Sequence, residues 1–176
     1  MPKLPSPWLE FLTEVDATLS ESLLLHCVGG FVVSLFYGLP RPTGDVDYWT
    51  AIPANLDLDG LAGRSSALAK KYGVYLHRVS VNNMPEEYET RLEEMFPGQF
   101  KNLRLFAPDP YDLILSKIER NSGKDREDAD YLFKKLSLSS ETLRDRYQTE
   151  MRINLGRPER EDLTLQLWIE IFQTEN

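Results

Sequence analysis

Two glycines and two aspartates are the residues of this chain best placed to do chemistry together. Gly29-Gly30 stands after one apolar run, Leu23 to Val28, and before another, Phe31 to Tyr37. A glycine pair between a strand and a helix lets the backbone come close to a ligand. The helix start then offers free N–H groups and the positive end of its dipole to phosphate. Further along come Asp45 and Asp47, within Asp45-Val46-Asp47-Tyr48-Trp49. On a strand, residues i and i+2 emerge on one face, so the carboxylates lie about 6.6 Å apart along the chain at ~3.3 Å per residue. Side chains flexing over that gap can jointly hold Mg2+ ions about 3.5–4 Å apart, as in two-metal phosphoryl-transfer sites. Magnesium favours hard carboxylate oxygens and completes its shell with water and phosphate. Each signal alone has a plainer reading: a tight turn for the glycines, a solvated strand face for the D-x-D. Their order, with Arg41 and Thr43 between them as anion-binding candidates, favours the phosphate site.

The elements that must position these residues follow from apolar periodicity. Trp8 to Leu19 has helical spacing, with Ser6 suited to the N-cap and Pro7 to the first helical position. Leu23 to Val28 reads as a buried strand, and Phe31 to Tyr37 as a buried helix closed by Gly38. Asp45 to Trp49 alternates as a two-faced strand. Asp57 to Tyr72 reads as a helix with Lys70-Lys71 in its last turn, and Val74 to Val81 as a strand. Glu86 to Met95 reads as a charged helix, with five Glu against one Arg, and Leu103 to Phe106 as a short strand. Helices are expected over Tyr111–Glu119, Arg126–Lys135, Ser140–Asn154 and Arg160–Gln173, with Asn121 to Lys124 joining the first two. Strands and helices mix in the first two thirds and helices alone fill the rest, which predicts an α+β fold with a helical C-terminal lobe. The boundary falls at Pro108, giving 1–108 and 109–176, packed as one structural unit.

Composition bounds the partners. The 176 residues carry 20 Lys+Arg against 28 Asp+Glu, a formal charge of −8. That surplus of acid disfavours a broad nucleic-acid footprint, because counterion release needs a surplus of Lys and Arg. A local patch survives, since residues 101–135 hold eight Lys/Arg against seven acidic residues. One cysteine, Cys27, excludes an intrachain disulfide and a Cys-based zinc cluster, and two histidines, His26 and His77, disfavour a zinc hydrolase. No run approaches the roughly 18 apolar residues of a membrane span. Nor does a signal-type apolar core follow Met1 to Pro7, so a soluble cytoplasmic protein is expected.

Val28-Gly29-Gly30 followed by Arg41-Pro42-Thr43-Gly44-Asp45-Val46-Asp47 resembles the G-G … R-x-T-x-D-x-D signature of the nucleotidyltransferase superfamily related to DNA polymerase β. It is similar in particular to small prokaryotic proteins grouped with the AbiEii-type toxins. Asp109-Pro110-Tyr111-Asp112-Leu113-Ile114-Leu115-Ser116-Lys117 and Lys124-Asp125-Arg126-Glu127-Asp128 look like two later motifs of that group. The resemblance implies a mixed sheet flanked by helices. It implies that Gly29 and Gly30 hold a nucleoside triphosphate, with Arg41 and Thr43 nearby, and that Asp45 and Asp47 bind Mg2+. Lys117 would steady a phosphate or base as a catalytic and nucleotide-binding residue, and Asp125 and Asp128 would orient the cleft. The plainer readings are a snorkelling lysine and aspartates complementing a helix dipole. A tRNA or protein acceptor and an antitoxin partner come with the same resemblance; self-association is not decided by the sequence.

Active relatives place a third carboxylate on a neighbouring strand. Here that strand reads Val74-Tyr75-Leu76-His77-Arg78-Val79-Ser80-Val81-Asn82-Asn83, without Asp or Glu. Glu86 or Glu87 could fold back, the substrate could supply the ligand, or the chain could bind nucleotide without transferring it, as a sensing or protein-binding module. His77 is a candidate base, or a strand histidine packed beside Tyr75. Arg91 is a candidate phosphate contact, or more plainly a helix-face partner of Glu87 or Glu94. The C-terminal run with Leu163, Leu165, Leu167, Trp168, Ile169, Ile171 and Phe172 is either the core of the lobe or a dimer surface.

Overall fold

The apolar run at Leu23 becomes the central strand of a five-stranded mixed sheet. A computed structural model describes residues 3–80 and 83–174. The strands are β1 (Leu23–Cys27), β2 (Asp45–Ile52), β3 (Tyr75–Arg78), β4 (Glu93–Met95) and β5 (Leu103–Ala107), in the order β3-β2-β1-β5-β4. β1 runs antiparallel to β2 and parallel to β5; β2 and β3 are parallel, and β4 and β5 antiparallel. Leu23, Leu25 and Cys27 are wholly buried, as a central strand requires. The Cys27 side chain is core packing, and burial pushes its thiol up. In β2 the alternation runs as the sequence predicts, Val46 and Tyr48 buried, Asp45 and Asp47 on the half-open face.

Two compact units divide the chain. One comprises Met1–Ser80 with Leu92–Ala107 and carries the whole sheet; the other comprises Val81–Arg91 with Pro108–Asn176. In the first, α1 (Trp8–Thr18) buries Phe11, Leu12 and Val15. Pro7, rather than Ser6, occupies its N-cap without a side-chain bond, and the helix opens at Trp8, because the Pro7 carbonyl already accepts from the Phe11 N–H at 3.0 Å. At the other end of α1, the Asp16 carboxylate accepts from the N–H groups of Lys101, Asn102 and Leu103 at 2.6–3.0 Å and so fixes the start of β5. The expected helix from Asp57 to Tyr72 is two: α3 (Leu58–Ala62) and α4 (Ala67–Tyr72). Ser66 starts the second by accepting from the Ala69 N–H at 3.0 Å, a local cap that outcompetes helix continuation. The strand expected over Val74–Val81 shortens to Tyr75–Arg78, and its expected end, Val81, lies outside the described residues.

The charged helix expected over Glu86–Met95 does not form. A 3-10 turn (Tyr88–Arg91) leads into β4, which pairs with β5; Met95 is buried there, and Glu94 holds Arg104 at 2.6 Å. Ladder bonds to β5 and one inward methionine win over helix propensity, which is only a weak prior.

In the second unit, α5 (Pro110–Leu115), α6 (Gly123–Lys135), α7 (Ser140–Arg146) and α8 (Pro158–Gln173) form the lobe. Pro110 opens α5 under an Asp109 cap. α6 starts ahead of the expected Arg126, because Ser122 and Asp125 close a reciprocal capping box. The helix expected over Ser140–Asn154 ends at Arg146 and passes through a π-turn (Tyr147–Met151) and a 3-10 turn (Arg152–Asn154). The last helix supplies core to the lobe. Leu165, Trp168, Ile169 and Phe172 are core, Phe172 stacking on Phe133 at 4.9 Å, while Leu163, Leu167 and Ile171 are exposed. Among the described residues, no helix is long and apolar enough to cross a membrane.

Candidate functional site

Where β1 ends, the chain turns through Val28 and enters α2 (Gly29–Phe31), which a π-turn (Val32–Phe36) prolongs. The Val28 N–H donates to the Asp47 carbonyl at 2.9 Å, stitching this turn to β2. Gly29 has φ +71°, and a Cβ built on it would lie 2.5 Å from Asp47 Oδ2. Only a glycine gives both the left-handed backbone and the space for that carboxylate. A Cβ on Gly30 would lie 3.5 Å from Thr43 Oγ1, and that hydroxyl donates to the Asp45 carbonyl at 3.3 Å. The structure therefore brings Gly29, Gly30, Thr43, Asp45 and Asp47 together in the first unit. Arg41 stands half-buried on the same connection between α2 and β2.

Gly29→Ala is expected to lose about 1–2 kcal/mol from backbone strain alone, and more because the methyl must displace Asp47. Urea denaturation would read the loss, with Gly30→Ala, whose methyl meets only ordinary contact, as the milder comparator.

The third member of the group is His77. In the parallel pairing of β2 and β3, Asp45 is level with Tyr75 and Asp47 with His77. His77 Nδ1 lies 2.9 Å from Asp47 Oδ1 and 3.8 Å from Asp45 Oδ2. One ligand atom from each of the three residues lies within 4.8 Å of the others. The side chains are 54%, 22% and 30% exposed for His77, Asp47 and Asp45, which leaves a partly open site that a solute can reach. The reading of His77 as a partner of Tyr75 captures only part of this. The rings do meet in a T-shaped contact, centroids 6.3 Å apart, but Nδ1 of the imidazole is turned to the carboxylates. Alternation within the strand marks the face of His77, but only the parallel register of β3 on β2 sets it level with Asp47.

The donor set suits a divalent cation. Two carboxylates supply hard oxygens and the imidazole a nitrogen, on two adjacent strands with the close-passing Gly29 backbone behind Asp47. Glu86 and Glu87, considered as carboxylates that fold back, belong to the second unit. There Glu86 accepts from Asn154 Nδ2 at 3.0 Å, and the Glu87 N–H donates to Glu150.

The other expected site residues also lie in the second unit. Lys117 is 4% exposed, with Nζ 3.0 Å from Asp128 and 3.7 Å from Asp125. Asp125 also accepts from Arg120 at 2.6 and 2.8 Å and from the Ser122 N–H and hydroxyl at 3.0 and 2.7 Å. Burial pushes the Asp125 carboxyl up, and the Arg120 and Ser122 hydrogen bonds with the Lys117 charge outweigh it, holding it at about 2. A carboxyl lowered on folding stabilises above its unfolded value, about 3.9, and that stability is lost as pH falls through the folded value. Wild type should therefore lose about 2 kcal/mol relative to Asp125→Asn between pH ~5 and pH ~2. Urea midpoints of the two proteins across that range would show it. Arg91 belongs to a separate buried network. It binds Asp112 at 2.9 and 3.0 Å and Glu150 at 2.7 and 3.1 Å, in place of the expected Glu87 or Glu94.

A family model described as nucleotidyltransferase of unknown function (DUF6036) matches residues 9–174. Comparisons with curated proteins and with solved structures give no match.

Proposed function

The chain belongs to that family of nucleotidyltransferases of unknown function, and from this premise we propose that it moves a nucleoside monophosphate from an NTP to an acceptor hydroxyl on tRNA or a protein. The acceptor oxygen bonds to the α-phosphorus and its proton passes to solvent, while the bond from that phosphorus to the β-phosphate oxygen breaks and pyrophosphate leaves. The observation that carries the reading is the convergence of the Gly29-Gly30 turn with Asp45, Asp47 and His77 at one end of the sheet.

Gly29 and Gly30 let a triphosphate approach the backbone, Arg41 supplies countercharge, and Thr43 offers a hydroxyl beside Gly30. Asp45 and Asp47 hold a divalent cation, Mg2+ being the choice that carboxylates alone make. When bound, such a cation would lower the pKa of the attacking hydroxyl and offset charge on the phosphate oxygens. Lys117, Asp125 and Asp128 act at one remove, tying the segment after α5 to α6 and so bracing the lobe. The likeness to AbiEii-type toxins adds the proposal that the chain is the toxin of a pair with an antitoxin partner.

Incubation with each labelled NTP, Mg2+ or Mn2+, and total RNA or a protein extract tests this. Label transferred by wild type and not by Asp45→Asn/Asp47→Asn supports it; equal labelling, or none, refutes it. A second reading rests on β3 offering a histidine where a carboxylate is expected. On that reading the chain senses nucleotide without turnover, and a thermal melt would shift with metal and NTP while no product formed.

A further inference from the structure

Transfer through Asp45 and Asp47 names two ligands, whereas the geometry offers three. β2 contributes the carboxylates from one face, and β3 brings His77 level with Asp47. A hydrogen bond accounts for the 2.9 Å contact of His77 with Asp47. Strand alternation puts the Asp45 carboxylate on the same face, 3.8 Å from the same nitrogen. Two like charges side by side disfavour each other, and a divalent cation between them removes the conflict.

Adjacent donors around an octahedral ion of metal–oxygen length about 2.1 Å lie ~3 Å apart. The separations of 2.9 and 3.8 Å, within a group no wider than 4.8 Å, are close to that arrangement. His77 is exposed on an edge strand, so its ring can settle onto an ion by rotation about its own side-chain bonds.

We propose that Asp45, Asp47 and His77 form a mixed oxygen and nitrogen site for a first-row transition cation, with the imidazole as an inner-shell ligand where a third carboxylate would otherwise stand. The inference rests on the nucleotidyl-transfer reading of the same site and deepens it by naming the class of metal. Magnesium takes hard oxygens and gains little from imidazole, whereas Mn2+, Fe2+, Co2+, Ni2+ and Zn2+ accept nitrogen with rising affinity along the series to Ni2+. His77 therefore shifts selection away from Mg2+. The substitution exchanges a negative ligand for a neutral one, so the site also carries one charge fewer than a three-carboxylate site.

Mn2+ is the probe, because its electron spin echo is modulated by a directly bound 14N. The chain has two histidines, and His26 is 6% exposed within β1, so the signal has one source in tag-free protein. Wild-type protein loaded with Mn2+ should show imidazole 14N modulation that His77→Ala and His77→Gln both lose. Mn2+ affinity should fall about tenfold or more in those variants, since removing an outer partner alone costs that much. His77→Asp should retain Mn2+ without the modulation and bring the ratio of Mn2+ to Mg2+ affinity down about tenfold or more. Exposed His77 makes all three variants foldable, and circular dichroism checks this.

Mn2+ bound to wild type without 14N modulation, or a metal ratio unmoved in His77→Asp, overturns the proposal. In either case Mg2+-supported transfer that Asp45→Asn/Asp47→Asn abolishes would leave the activity reading standing. Failure of transfer with intact 14N modulation would do the reverse.

Discussion

Asp45→Asn and Asp47→Asn should each reduce nucleotidyl transfer by at least about 10^3-fold, a barrier increase of ~4 kcal/mol. The amide keeps the shape of the carboxylate and loses the charge that holds a cation. Both side chains stand on the half-open face of β2, with Val46 and Tyr48 carrying its packing on the other. The fold should therefore survive, and melting temperatures should stay level or rise, because removing one of two neighbouring carboxylates relieves repulsion. Asp47→Asn also weakens the pairing with His77, which is partly exposed and therefore worth little. Single-turnover labelling beside a thermal melt checks both halves. Activity lost with stability kept is the pattern of a site; activity and stability lost together would mark the carboxylates as structural.

Arg91→Met should destabilise the second unit by about 3 kcal/mol. Asp112 is wholly buried, and Arg91 grips both of its oxygens while Arg146 reaches one at 3.0 Å. Burial pushes the Asp112 carboxyl up even with both guanidinium groups in place. Removing Arg91 leaves a buried carboxylate with half its countercharge, and Glu150 loses a partner as well. Neutral Asp112 needs no countercharge. The deficit should therefore be largest near neutral pH and shrink as pH falls through the carboxylate range. Urea denaturation of wild type and variant at several pH values checks the sign. A constant deficit would mean that poorer packing, not charge, explains the effect.

What the sequence made legible is local. The buried strand at Leu23, the glycine turn and the D-x-D face all follow from patterns within a few residues, and the structure keeps each of them. Arg91 shows where such reading stops. Its partners lie 21 and 59 positions away, so no helical spacing could name them, and its neighbours form a turn and an edge strand instead. His77 was visible as a residue but not as a ligand, because its place beside Asp47 exists only once β3 is paired in parallel with β2. Lys117 was legible as a motif position. Its burial against Asp125 and Asp128 depends on the turn that folds α6 back on α5.

The register of β3 also decides what stands against the carboxylates. Side chains alternate along a strand, so the face that meets Asp47 takes whichever residue is level with it. At present that residue is His77, and the next one along is Arg78. A slip of one residue that set Arg78 level with Asp47 would bring a guanidinium to the carboxylates, but it would also turn Leu76, 3% exposed, away from the core and carry His77 inward. The packing of Leu76 thus guards the chemistry of the opposite face, since it holds the register that keeps a built-in guanidinium away from Asp45 and Asp47.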